Sequence, residues 1–198
     1  EEQVFVAPNA AARRPAHAMP IRALTALPHQ LTLLFVGRLQ ARKRVDLLLR
    51  ACQRLPEALQ PHLWVVGDGP ERASLEKTAR EVYPRALFLG ARHGAQLERL
   101  FLAADLFVLP GTGGLAVQQA MSFGLPVMVA EADGTQTDLV RPANGWQLPP
   151  GDEDALVRCL SDALSDTPRL RRMGEESYRI ASEEINLEHM VDVFARAV

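Results

Sequence analysis

The chain has 198 residues, 47% of them hydrophobic, and its 22 lysines and arginines against 24 aspartates and glutamates leave a net charge of -2. That length and apolar content fit one buried core, and the balanced charge excludes a general nucleic-acid binder, which carries a basic excess. No apolar run reaches the ~18 residues of a membrane span, and Cys52 and Cys159 lie too far apart to suggest a disulfide framework, so a reduced, cytoplasmic protein is expected.

Residues 1–30 open without methionine and hold Pro8, Pro15, Pro20 and Pro28 among alanines and arginines. They read as an irregular segment leading in from an N-terminal domain outside this chain, with the domain proper over 31–198. From Leu31, short apolar runs alternate with helical patterns. Strands are predicted at 31–37, 62–67, 86–90, 106–110 and 126–130, with a weaker one at 145–148. The runs are continuous rather than alternating, as in parallel strands covered on both faces. Val45, Leu48, Leu49, Cys52 and Leu55 keep helical spacing, and Pro56 closes that segment. Pro70 suits the first turn of a second helix running through Leu75, Ala79 and Val82. A further helix starts near Leu115. From Asp152 to the end helical patterns follow one another, with breaks at Asp166-Thr167-Pro168 and Ile185-Asn186. This order predicts an α/β fold, a doubly wound, Rossmann-like parallel sheet with C-terminal helices.

Glycines recur just after the predicted strands: Gly37, Gly67 and Gly69, Gly90, then Gly111, Gly113 and Gly114. In an open α/β sheet that edge holds the ligand. The stretch 106–130 is the most informative, because it places a glycine-rich turn between a buried strand and a helix start. Unpaired N–H groups there, at the positive end of the helix dipole, bind phosphate through backbone alone. The stretch contains no carboxylate. After the first strand, Arg38 and Lys43 stand five residues apart, able to face one anion with a forked guanidinium and a mobile ammonium. Their ordinary reading is a solvated basic helix start; cations opposing a helix dipole favour a functional one, and Arg42 and Arg44 fit the solvated face.

Asp68, between Gly67 and Gly69, reads equally as a turn-tightening residue or a ligand contact. The Asp152-Glu153-Asp154 triplet spells a pattern that can hold a metal, but it precedes Ala155, Leu156, Leu160 and Leu164 and reads as an acidic first helical turn. His17, His29, His62, His93 and His189 are scattered without metal-ligand spacing.

Together these residues resemble the C-terminal, donor-binding half of the GT-B glycosyltransferases, specifically the retaining family 4, or group 1. FVGRLQARKRVDLLLRA is similar to that family's vGRl…KGvdlLi.A, WVVGDGPER to its ivGdGper, QAMSFGLPVMV to its EAmacGlPVia, and NGWQLPPGDEDAL to its nGllv.pgD.eaLa. The resemblance implies that Arg38 and Lys43, with Gly37 beside them, hold the diphosphate of a nucleotide-sugar donor. It implies that the backbone of Gly111, Thr112, Gly113, Gly114 and Leu115 approaches the donor phosphate and sugar. The family's Glu-x7-Glu pair, whose acids contact the sugar and the ribose, falls on Gly111 and Gln119; both acids are missing here, and Gln119 can still hydrogen-bond ribose. Asp138 stands where the family often has Glu.

The resemblance further implies a transferase needing no metal or other cofactor and an acceptor, saccharide or lipid-linked glycan, held by the N-terminal domain. A place at the inner face of a membrane is compatible with it. Alone the chain is expected to bind donor weakly and transfer little. A non-catalytic nucleotide-sugar-binding or structural module is the alternative, with a related epimerase or synthase as a third.

Overall fold

In the computed structural model, residues 14–20, 31–131 and 138–197 are described. Of the predicted irregular segment 1–30, residues 14–20 form no regular element, and the remainder, with His29, lies outside the described residues.

Six strands form one sheet: β1 (Thr32–Val36), β2 (His62–Val66), β3 (Ala86–Gly90), β4 (Leu106–Leu109), β5 (Val127–Ala130) and β6 (Gly145–Leu148). All pair in parallel, in the order β3-β2-β1-β4-β5-β6. Every strand predicted from apolar runs is present, including the weak one. The central strands are buried along their length because helices cover both faces, which is why their sequences do not alternate.

The helices between strands are α1 (Val45–Arg54), α2 (Arg72–Val82), α3 (Gly94–Ala103) and α4 (Leu115–Ser122). Val45, Leu48, Leu49 and Cys52 of α1 are all buried, as their spacing requires. Phe101 of α3 stacks on Phe123, ring centroids 5.4 Å apart, and lies 6.4 Å from Phe107 of β4. Each large side chain so buried contributes roughly 1.5–3 kcal/mol. Pro70 stands two residues before Arg72, the first residue of α2, rather than within it. The Glu71 N–H donates to the Leu39 carbonyl, so the turn docks on the first loop before the helix starts.

After β6 come α5 (Glu153–Ser165), α6 (Thr167–Arg179), a π-helical turn (Ile180–Glu184) and α7 (Leu187–Ala197). Both predicted breaks are N-caps. The Asp166 carboxylate accepts from the Arg169 N–H at 2.9 Å, and the buried Asn186 accepts from the His189 N–H at 2.8 Å. No described helix is long and apolar enough to cross a membrane. Cys52 and Cys159 are both free thiols, the first fully buried.

The strand order reverses direction between β1 and β4. The helices that follow these strands cross to opposite faces of the sheet, and the crevice at the edge where their loops meet is the place where sheets of this kind bind ligands.

Candidate functional site

Two segments build the crevice. The first follows β1: Gly37, Arg38, Leu39 and Gln40, then a single 3-10 turn over Ala41–Lys43. Arg44 follows in the left-handed conformation at φ 53° and N-caps α1. The second follows β4: Pro110, then Gly111 to Gly114, then α4.

The first segment is seated on the loop after β2 by backbone contacts. Gly37 N–H donates to Val66 and Leu39 N–H to Asp68, at 3.0 and 2.8 Å. Gly67 has φ +135°, and a Cβ on it would overlap the Gly37 carbonyl oxygen. This glycine at the strand edge is required by loop-on-loop packing. Asp68 resolves toward its turn role: one carboxylate oxygen accepts from the Gly69 N–H at 2.7 Å and the other from Arg72 at 3.1 Å. Those two bonds, the first the stronger, hold its carboxyl below the usual range.

The segments meet through Lys43. Its ammonium donates to the Thr112 carbonyl oxygen, its Cε lies 3.9 Å from a Cβ position built on Gly37, and a Cβ on Gly113 would overlap its Nζ. The side chain thus runs from the end of β1 to the loop after β4. The expected conflict with the α1 dipole disappears, because Lys43 turns away and Asp46 occupies the first turn of α1. Arg38 is exposed and makes no hydrogen bond or ion pair with the described residues.

The loop after β4 is held just as closely. The Thr112 N–H donates to the Arg42 carbonyl at 3.1 Å, and a Cβ on Gly111 would overlap that same oxygen and lie 2.7 Å from Lys43 Cα. Glycine at 111 is thus required by the approach of two backbones, a reason distinct from the loss of an acid. α4 begins with Gly114 as its N-cap, no side chain caps it, and no acid sits in its first turn. Leu115 is 72% exposed, and Gln119 is half-buried one turn on, its carbonyl accepting from Ser122 at 2.8 Å. An anion at this helix start would meet uncapped N–H groups with Lys43 beside them.

Arg42 lies on the solvated face, as expected. Its guanidinium also reaches the Thr112 hydroxyl at 3.4 Å while its Nε donates to Gln40 at 3.1 Å. Nothing in local spacing signals this, since the partner lies 70 residues away. Arg44 pairs instead with Asp46 at 3.4 Å.

The acidic triplet is a helix start, as its sequence suggests. Asp152 caps α5 by accepting from the Ala155 N–H at 2.8 Å, Glu153 binds Arg50 and Arg54 of α1, and Asp154 binds Arg54. Asp138 is exposed after β5, beyond 132–137, which lie outside the described residues. Two open cavities of about 340 Å³ occur beside Leu87 and Trp146 near the sheet edges, and neither is lined by a crevice residue.

The family model described as glycosyl transferases group 1 matches residues 21–180. The sulfoquinovosyl transferase of Arabidopsis thaliana is 34% identical over 164 residues, 79% of this chain and 31% of that protein. A GDP-mannose-dependent alpha-mannosyltransferase of Mycolicibacterium smegmatis is 40% identical over 140 residues, 68% of this chain and 35% of that protein. Among solved structures, sucrose-phosphate synthase from Thermosynechococcus elongatus superposes with a TM-score of 0.76 at 26% identity, covering 90% of this chain and 48% of that one. The chain spans about a third of the length of these two curated relatives and half of the solved one.

Proposed function

The chain belongs to the group 1 glycosyl transferases, and from that membership we propose that its crevice binds a nucleoside-diphosphate sugar for a retaining transfer. The observation that carries this reading is the Lys43 side chain joining the β1 and β4 loops at the point where the sheet order reverses. Arg38 and Lys43 meet the diphosphate, and the backbone from Gly111 to Leu115 approaches its sugar end. These cations and the uncapped start of α4 stabilise charge that grows on the diphosphate as the sugar leaves it. The acceptor hydroxyl bonds to the anomeric carbon while the bond to the diphosphate breaks, and the acceptor proton passes to the leaving diphosphate. With charge met by side chains and amides, the reading asks for no metal.

The mannosyltransferase relative supports a nucleotide-sugar donor by its name, and the different sugars of the two curated relatives leave base and sugar open. Transfer itself needs an acceptor site, which we assign to a second domain, since these relatives carry most of their length outside the matched region. Gly111 and Gln119, in place of two acids, favour a second reading as a donor-binding module without catalysis.

Calorimetric titration of the folded chain with UDP, GDP and ADP tests the donor site. Saturable binding of one of them, weakened in Arg38→Ala, is the expected result. A folded chain that binds none of the three would refute it. Donor hydrolysis or transfer by a longer protein carrying this domain, lost in Lys43→Ala, separates enzyme from module.

A further inference from the structure

The described residues of the β1 and β4 loops offer a ligand cations and amides. Over 106–130, which supply β4, the loop, α4 and β5, there is no carboxylate. Of the described acids nearby, Asp46 pairs with Arg44 and Arg50, and Asp68 accepts from the Gly69 N–H and Arg72. Glu131, the next acid along this edge of the sheet, follows β5 rather than β4. Two cations reach this loop, Lys43 at the Thr112 carbonyl oxygen and Arg42 at 3.4 Å from the Thr112 hydroxyl, while Arg38 lies exposed at the end of β1. Arg42 pairs with no carboxylate among the described residues, its partners being Gln40 and Thr112.

A neutral sugar presents hydroxyl protons, and the strongest acceptors for them are carboxylates. A loop that lacks them but presents a guanidinium fits a sugar that brings its own anionic acceptor. The diphosphate carries one negative charge per phosphate, matched by Arg38 and Lys43, which leaves Arg42 as the surplus cation at the sugar end. Resting on the donor-site reading above, we infer that the donor sugar bears an anionic substituent, a carboxylate or a sulfonate, and that Arg42 pairs with it beside Thr112. Charge-assisted, bidentate pairing is what guanidinium does better than ammonium, so arginine at this position is a specificity determinant.

The test compares matched donors on the folded chain: UDP-glucose against UDP-glucuronic acid, and GDP-mannose against GDP-mannuronic acid, with UDP-sulfoquinovose to separate sulfonate from carboxylate. An acidic donor is expected to bind about tenfold or more tighter than its neutral counterpart, and Arg42→Gln to reduce that ratio below about threefold. Arg42→Lys should restore part of the ratio, and Arg38→Ala should weaken both donors of a pair alike. Equal or tighter binding of the neutral donor, or a preference that survives in Arg42→Gln, overturns the inference while leaving the donor site standing. If no nucleoside diphosphate binds, the donor site itself falls and the inference with it.

Discussion

The Lys43 ammonium and the Thr112 carbonyl oxygen are hydrogen-bonded although 69 residues separate them in sequence, and this bond draws the turn after β1 against the loop after β4. Lys43 therefore holds the crevice together before any ligand arrives, and an anion entering at α4 finds its charge already in place.

Removing that bond should have two consequences. Lys43→Ala is expected to weaken nucleoside-diphosphate affinity by ~1–3 kcal/mol and also to lower Tm, because a charge-assisted bond to a backbone carbonyl is lost. Arg38→Ala should weaken affinity by a similar amount with Tm unchanged, since Arg38 binds no described residue. Titration calorimetry with parallel thermal melts distinguishes them; equal Tm losses would contradict the assignment.

Restoring the family's acid at 111 should harm the protein. Gly111→Glu places a Cβ onto the Arg42 carbonyl and against the Lys43 backbone, neither of which can yield without moving the turn. We expect a stability loss of ~1–3 kcal/mol and weaker donor binding. Tighter binding of a neutral donor at unchanged stability would show that the loop accommodates the acid.

Gly67→Ala should cost more than Gly94→Ala, although both glycines have positive φ. At Gly67 the added methyl meets the Gly37 carbonyl, while nothing lies within 4 Å of it at Gly94. Gly94→Ala is expected to cost about 1 kcal/mol from backbone conformation alone, and Gly67→Ala more than about 2 kcal/mol. Urea denaturation midpoints of the two variants measure the difference.

Acid should loosen the packing of α1 on α5. Hydrogen bonds from Arg50, then Arg54, hold the Glu153 carboxyl below its ordinary 4.5, against the opposing effect of burial. A depressed pKa means the folded state binds this proton less readily than the unfolded chain. Its contribution is therefore complete above about pH 4.5 and is lost as pH falls through the lower folded value. Urea midpoints taken from neutral pH downward should fall less steeply below pH 4.5 in Glu153→Gln than in the parent. Parallel profiles would exclude Glu153 as a source of the acid sensitivity.

Much of the architecture was legible because burial on both faces writes itself into composition. β4 and β5 are continuous apolar runs, α1 repeats apolar residues at helical spacing, and Asp152 and Asp166 announce helices as N-caps. The weak strand at 145–148 was legible only faintly because it edges the sheet, with Trp146 and Gln147 half-exposed. The site was legible as residue types at strand ends; that Gly67 packs on the Gly37 carbonyl was not, because the two lie 30 residues apart. Arg42 is exposed, as its place in the sequence suggests, but its contact with Thr112 was not legible there.

The sequence by itself determined the parallel α/β class, the order of its elements, the glycine loop before α4 and the candidacy of Arg38 and Lys43, because each depends on local periodicity, capping or turn chemistry. Only the tertiary structure decided that Lys43, in the turn before α1, reaches the Thr112 carbonyl, that Gly111 is demanded by the Arg42 backbone, and that Arg42 contacts Thr112. Those relations arise where β1 and β4 pair side by side and their loops pack against each other. The contacts join residues about 70 positions distant, and no local pattern along the chain encodes the distance at which two backbones will pack.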